Sequence, residues 1–413
     1  MNDASPAVPS SLSAAEARQR MLQAITPIVG REFVPVRSAL GRVLAADVRA
    51  PHDVPAHDNS AMDGYALAGD SLHPAAGTRL VVVGTACAGH PWPGRIDPGQ
   101  AVRIMTGAVL PAGADLVVMQ EHVRRDGDAV FIPAGQRPGQ NIRRAGEDLA
   151  AGGVALAAGT TVGPAELGLL ASLGCAEVEV RRRLRVAFFS TGDELASIGS
   201  RLAPGQIYDS NRYTLHGLLT RLGCELIDLG VVPDQPAALE AALTEAAAVA
   251  DAIVTTGGVS VGEADFVRDI LARLGQVKFW KLDIKPGRPM AFGRIGQAWL
   301  FGLPGNPVAA MVAFTQLARD ALRALAGVHP LPERPLLRVT IAHALAKPAG
   351  RREYLRARVG AVDGGWQVRT TGPQGSGVLR SMAEANCFIV LPEACTGVQA
   401  GETVEVQLFD GAL

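Results

Sequence analysis

Disulfide chemistry has little to work with in this sequence. Five cysteines (Cys87, Cys175, Cys224, Cys387 and Cys395) are spread over 413 residues, odd in number and with no CxxC pair. That pattern excludes a disulfide framework or zinc ribbon and predicts buried thiols in a reducing cytosol. Aromatic residues make up only 5%, too few for a base-stacking surface. Neither sign of charge is in excess: 39 Lys and Arg face 40 Asp and Glu, a net charge of −1. Electrostatics therefore give no reason to expect nucleic acid or an anionic membrane as partner. Long hydrophobic runs are missing as well. The longest uncharged stretch, Leu149 to Ala165, is broken by Gly152, Gly153, Gly159 and Pro164 and falls short of the ~20 apolar residues of a membrane helix. The opening Met-Asn-Asp-Ala-Ser-Pro lacks the cationic and apolar regions of a signal peptide. The expectation is a soluble, cytoplasmic protein. Its eight histidines show no zinc-type spacing, and no GxSxG nucleophile motif occurs.

Glycine and proline, by contrast, are abundant, at 47 and 27 residues. With no collagen-like period they signal many tight turns, and so sheets and backbone-lined sites. At roughly 150 residues per domain the length suggests about three domains. Ser13-Ala14-Ala15-Glu16 reads as a capping box opening a helix over 13–28. From about residue 50 to 148 the chain reads as strands between turns: Arg79–Val83, Ala101–Met105, Leu116–Gln120 and Ala129–Ile132. The segment Asp58–Ala66 does not alternate and is not read as a strand. A short helix follows near Pro164. From Leu184 onward strands (184–189, 225–231, 252–255) alternate with amphipathic helices (211–222, 235–250, 264–274). Short strands over 277–284, 290–294 and 298–301 then precede a long helix over 307–326. That order predicts a doubly wound parallel sheet. Five strands beyond Pro330 (336–342, 354–359, 366–370, 387–391 and 403–408) predict a terminal barrel.

Ligands of open α/β sheets sit beyond the carboxyl ends of the strands, and the unusual clusters fall there. Ser190-Thr191-Gly192-Asp193-Glu194 follows one strand; Thr256-Gly257-Gly258-Val259-Ser260-Val261-Gly262 follows another, trailed by Glu263 and Asp265. Glycines let backbone N–H groups approach a phosphate and hydroxyls add donors, although tight βα turns alone account for either string. Leu303-Pro304-Gly305-Asn306-Pro307 places an N-cap residue and a first-turn proline at a helix start, where unpaired N–H groups favour anions; a well-made helix start is the plainer reading. In Lys285-Pro286-Gly287-Arg288-Pro289 two cations sit on a loop stiffened by prolines, suited to an oxyanion or phosphate. Carboxylates such as Asp58, Glu194 and Asp265 could hold Mg²⁺, a cation that prefers oxygen ligands. The Arg143, Arg144, Glu147 and Asp148 cluster reads equally as a surface charge network.

Taken together, DNSAMDGYA (58–66), RIMTGAVLPAGAD (103–115), NIRRAGED (141–148), STGDE (190–194), GGVSVGEAD (257–265), KPGRPMAF (285–292) and GLPGNP (302–307) resemble one family. It is the molybdopterin molybdenumtransferases, the bacterial MoeA proteins, with the gephyrin E-domain as an animal relative. The likeness runs from the first helix to SMAEAN (381–386). It implies an α/β multidomain protein: a doubly wound α/β domain of the molybdenum cofactor biosynthesis type (183–328), a β-rich domain (50–148), a small linking domain (1–49 with 149–182) and a C-terminal β-barrel domain (329–413). It further implies insertion of molybdate into adenylylated molybdopterin with Mg²⁺-dependent release of AMP. Elongated homodimers are implied too, with each active site shared between the α/β domain of one subunit and the β-domain of the other. The molybdopterin adenylyltransferase is a candidate partner.

Carried over by position, the resemblance gives Asp58, Thr106, Glu121 and Asp148 to the β-domain side of the site. Glu194, Asp234 and Asp265 match acidic positions of the α/β domain, with Asp58, Glu194 and Asp265 as candidate metal ligands. Substrate-binding positions are Ser190, Thr191, Gly257, Gly258, Ser260, Lys285, Arg288, Pro289, Pro304, Gly305, Asn306, Pro307 and, in the terminal domain, Arg351. Two departures stand out. Arg288 replaces a more usual lysine, exchanging a compact ammonium for a planar fork, and Ala309 stands where relatives often carry serine. A partner-anchoring scaffold, as in gephyrin, and the adenylating step itself remain alternative readings. Retention of Asp58, Glu194, Asp265 and Lys285 speaks against the first, the β-domain and the SMAEAN segment against the second.

Overall fold

The computed structural model describes residues 11–258 and 265–409. At its centre is a six-stranded sheet in the order Glu225–Val232, Arg185–Thr191, Ala252–Thr256, Ala298–Leu303, Pro289–Ile295, Gly275–Lys281. The first four strands are parallel, Pro289–Ile295 runs against both its neighbours, and Gly275–Lys281 returns to the parallel direction, so the predicted parallel sheet has one reversed strand next to its edge. Strand Arg185–Thr191 is apolar on both faces, as a strand covered on both sides must be. Its side chains alternate: Val186 and Phe188 enter the core shared with helices Ser210–Arg221 and Pro307–Ala313, whereas Ala187 and Phe189 pack with helices Pro236–Val249 and Asp265–Leu274. The sheet is doubly wound. The chain leaves this strand toward Glu225–Val232 on one side and later pairs Ala252–Thr256 on the other, so the order reverses between them. Beyond the carboxyl ends of these two strands a crevice must open.

The helix expected over 307–326 runs as Pro307–Ala313, a π-helical turn Phe314–Ala318 and Arg319–Leu325. The first helix, Ala14–Ala24, starts on the predicted capping box, with Ser13 and Glu16 bonding reciprocally. Its Ala17 and Met21 are buried in the α/β core. The linking segment is built instead from Arg31–Pro35 paired with Glu177–Arg181 and Val48–Arg49 paired with Val154–Leu156. Their shared core includes Leu44, Val162, Leu170 and Val180.

The β-rich segment forms a six-stranded sheet in the order Leu116–Met119, Gly64–Leu67, Gln100–Ile104, Thr78–Ala86, Ala129–Ile132, Arg124–Asp126. Strand Gly64–Leu67 is the one the sequence pattern conceals. It lies inside the sheet with all four residues buried; Tyr65 and Leu67 face one core and Ala66 the other, so it shows no alternation of polarity. In the terminal domain Leu337–Ile341, Gly365–Thr370, Arg352–Val362, Cys387–Leu391 and Thr403–Leu408 pair in a ring. This closed five-stranded barrel is filled by Val339, Ile341, Leu355, Ala357, Val359, Ile389 and Val406. A short strand, Ile284–Lys285, pairs with the start of Arg352–Val362 and ties the barrel to the central domain.

Candidate functional site

A cleft of about 730 Å³ lies at the sheet's switch point. Four turns converge on it. Thr191 and Glu194 come from the turn after the first strand, with Asp234 beside them; Gly257 and Gly258 follow the third. Lys285, Arg288 and Pro289 enter from the proline-stiffened loop, and Pro304, Gly305, Asn306 and Pro307 from the helix start. Arg351 reaches the same cleft from the barrel domain. Thirteen of the predicted positions thus line one cavity.

The turns are locked to each other. Thr191 Oγ1 donates to Asp234 Oδ1, and the Asp234 amide donates to Asp193 Oδ1 at 3.2 Å. Asn211 Nδ2 donates to the Gly305 carbonyl at 2.6 Å. Gly257 adopts φ +88°, and a Cβ there would stand 2.3 Å from the Thr191 carbonyl oxygen, so only glycine fits. Both signs of charge line the cleft: Glu194, Asp209 and Asp234 with Lys285, Arg288 and Arg351. Lys285 Nζ donates to Glu353 Oε1 at 3.1 Å, with Glu353 almost fully buried. That bond aims a partly exposed ammonium from a fixed anchor. Ala309 lines the cleft too and offers it no hydroxyl donor.

Several predicted positions lie elsewhere. Ser190 is fully buried beneath the cleft, where its Oγ bonds to Asp209 Oδ1 and Thr256 Oγ1, both at 3.0 Å; it joins the ends of two strands. Asn306 precedes the helix, but its side chain makes no capping bond. One first-turn amide expected to be free, that of Val308, donates to the Ser376 carbonyl at 3.0 Å. Ser260 lies outside the described residues. Asp265 begins a helix, and its side chain is likewise outside them.

Asp58, Thr106, Glu121 and Asp148 do not line the cleft of their own chain. They belong to the β-domain, where strand Asn59–Ser60 pairs with Ile142–Arg143 and gathers the motifs. Asp58 accepts from the Ala145 amide at 2.8 Å and from Arg144 Nη1 at 2.6 Å. Those donors, the amide first, hold its carboxyl below the usual carboxylate range. Thr106 donates through both its amide and its hydroxyl to Asp63 Oδ1, each at 2.7 Å, which lowers the Asp63 pKa in the same way. Among the described residues no group of three His, Cys, Asp or Glu side chains converges as a metal site.

Sequence reasoning missed Asp63, the Tyr208–Asn211 wall and the loop Gln374-Gly375-Ser376. Asp209 caps the helix Ser210–Arg221, and an aspartate before an amphipathic helix was a readable signal. The loop's glycines were another.

Three family models match in order along the chain: the MoeA N-terminal region (domain I and II) over residues 12–174, the probable molybdopterin binding domain over 187–324, and the MoeA C-terminal region (domain IV) over 338–409. A molybdopterin molybdenumtransferase of Haemophilus influenzae is 44% identical over 96% of this chain and 98% of its own length. The chain belongs to the MoeA family. A Nostoc molybdopterin molybdenumtransferase is 39% identical over 91% of this chain and 88% of its own. The crystal structure of the molybdopterin biosynthesis moeA protein from Pyrococcus horikoshii superimposes with a TM-score of 0.82 at 30% identity, covering 96% of this chain and all of that one. No helix among the described residues is long and apolar enough to cross a membrane.

Proposed function

We propose that the protein is a molybdopterin molybdenumtransferase of molybdenum cofactor biosynthesis, which inserts molybdate into adenylylated molybdopterin and releases AMP. The observation that carries this reading is the convergence of phosphate-type turns and three cationic side chains on one cleft in a MoeA-family chain. The Gly257 N–H donates to the Leu303 carbonyl at 3.3 Å, so in this turn it is the Gly258 N–H that suits a phosphate. Lys285, Arg288 and Arg351 suit a dianionic oxyanion and would offset its charge where it meets the dithiolene sulfurs.

Mg²⁺ binds through one or two carboxylates plus phosphate oxygens, not through an all-protein cage. Glu194, which lines the cleft, would supply one such carboxylate, and Asp58 of a second copy another. When bound, the cation would neutralise the pyrophosphate as its bond is cleaved. Asp58, Thr106, Glu121 and Asp148 are proposed to complete the cleft of a second copy in a homodimer, since they do not line their own. Asp58→Asn and Glu194→Gln should lower AMP release by about tenfold or more, as loss of a charge-bearing active-site contact does. Their melting temperatures should stay close to that of the parent. Undiminished turnover in both variants would refute the site assignment.

A further inference from the structure

We infer that Arg356, outside the cleft and assigned no role above, is a positioning residue whose unbalanced charge and carbonyl contacts prepare the cleft for an oxyanion. The inference rests on the transferase reading. Strand alternation sends Leu355 and Ala357 into the barrel and Arg356 out of it, toward the loop after Thr370. Arg356 is completely buried. Among the described residues it forms no ion pair with a carboxylate; its Nε donates to Ser381 Oγ at 3.0 Å, and its Nη2 to the carbonyls of Gly375 at 2.8 Å and Pro373 at 3.4 Å. A buried cation without a counter-charge is costly unless something offsets it. Burial alone pushes its pKa down to about 10, which leaves it charged at neutral pH.

The loop it grips is the one that lines the cleft through Gln374, Gly375 and Ser376. The C=O and N–H of a trans peptide point in opposite directions. Drawing the Pro373 and Gly375 carbonyls toward the guanidinium therefore turns the Gln374 and Ser376 amides away from it. Neither amide has a protein acceptor among the described residues. Gln374 closes the arrangement: its Oε1 accepts from the Arg356 amide at 2.8 Å and its Nε2 donates to the Arg356 carbonyl at 3.1 Å. The loop thus presents donors to the cleft, with a positive charge behind them. An oxyanion in the cleft supplies the missing counter-charge.

Equilibrium dialysis of molybdate against the full-length protein tests this, alongside steady-state AMP release. Arg356→Gln should raise the molybdate Kd and KM about tenfold, or about 1.4 kcal/mol, with kcat at saturating molybdate within about threefold of the parent. Arg356→Lys keeps the charge but not the fork and should fall between the two. Ser381→Ala leaves the charge and removes one anchor; about a threefold rise is expected. Should Arg356→Gln fail to fold, the other two variants decide. Parent-like Kd values in every folded variant would overturn the inference while leaving the transferase reading intact. Absence of molybdate binding by the parent protein would overturn both.

Discussion

A single methyl group at position 257 would close the turn that faces the proposed phosphate. The Cβ would meet the Thr191 carbonyl at 2.3 Å with φ held at +88°, a conformation that costs a residue other than glycine roughly 1–2 kcal/mol even without the clash. Gly257→Ala should lower thermal stability and weaken nucleotide-type ligand binding together, readable by thermal shift with and without ligand. Unchanged values would mean the turn is not the rigid cradle described. Lys285 acts differently, because Glu353 fixes it from a buried position. Lys285→Met removes the cation and should weaken molybdate binding by about tenfold, a typical loss for one charged hydrogen bond, and should also lower the melting temperature, because the buried Glu353 carboxylate loses its partner. Dialysis of molybdate against the variant measures it.

Elements are joined by a few polar contacts whose titration can be followed. Arg182, at the end of the linking segment, donates to both Asp251 oxygens at 2.7 Å, and the Arg185 amide adds a third bond at 2.8 Å. Burial pushes the Asp251 pKa up, but the Arg182 fork and the Arg185 amide outweigh it and hold the carboxyl below its usual range. A depressed carboxylate pKa gives stability that is present above the unfolded value of about 4 and lost as pH falls through the folded value. Asp251→Asn should therefore lower the melting temperature at neutral pH and flatten its decline below about pH 4. Parallel declines in variant and parent would show that the pair does not link folding to pH.

The same scale shows what could be read in advance. All five barrel strands and the alternating strands and helices from 184 onward were legible, because their apolar periods match their elements. The Gly64–Leu67 strand was not: a strand buried on both faces and flanked by polar turns has no period to detect. The reversed direction of Pro289–Ile295 is set by its tight connection to Ala298–Leu303 at Gly296–Gln297, a local feature that periodicity does not reveal. At the site, glycine and proline turns announced themselves. Ser190 misled because a hydroxyl at a strand end can serve either the ligand or the neighbouring strand, and here its partners are Asp209 and Thr256.

At the scale of the whole molecule, Asp58, Glu121 and Asp148 lie on the β-domain while Lys285 and Arg288 line the α/β cleft, and the near-zero net charge conceals both. The shared-site proposal predicts complementation. A mixture of Asp58→Asn and Lys285→Met chains, refolded together, should regain activity through hybrid dimers in which one of the two sites has both residues intact. Additive inactivity would place both residues in a site built from one chain. The central claim is tested most directly by incubating the purified protein with adenylylated molybdopterin and Mg²⁺ and following AMP with and without molybdate. The account predicts molybdate-dependent AMP release matched one for one by finished cofactor. Intact substrate after incubation, or AMP released without cofactor, would contradict it.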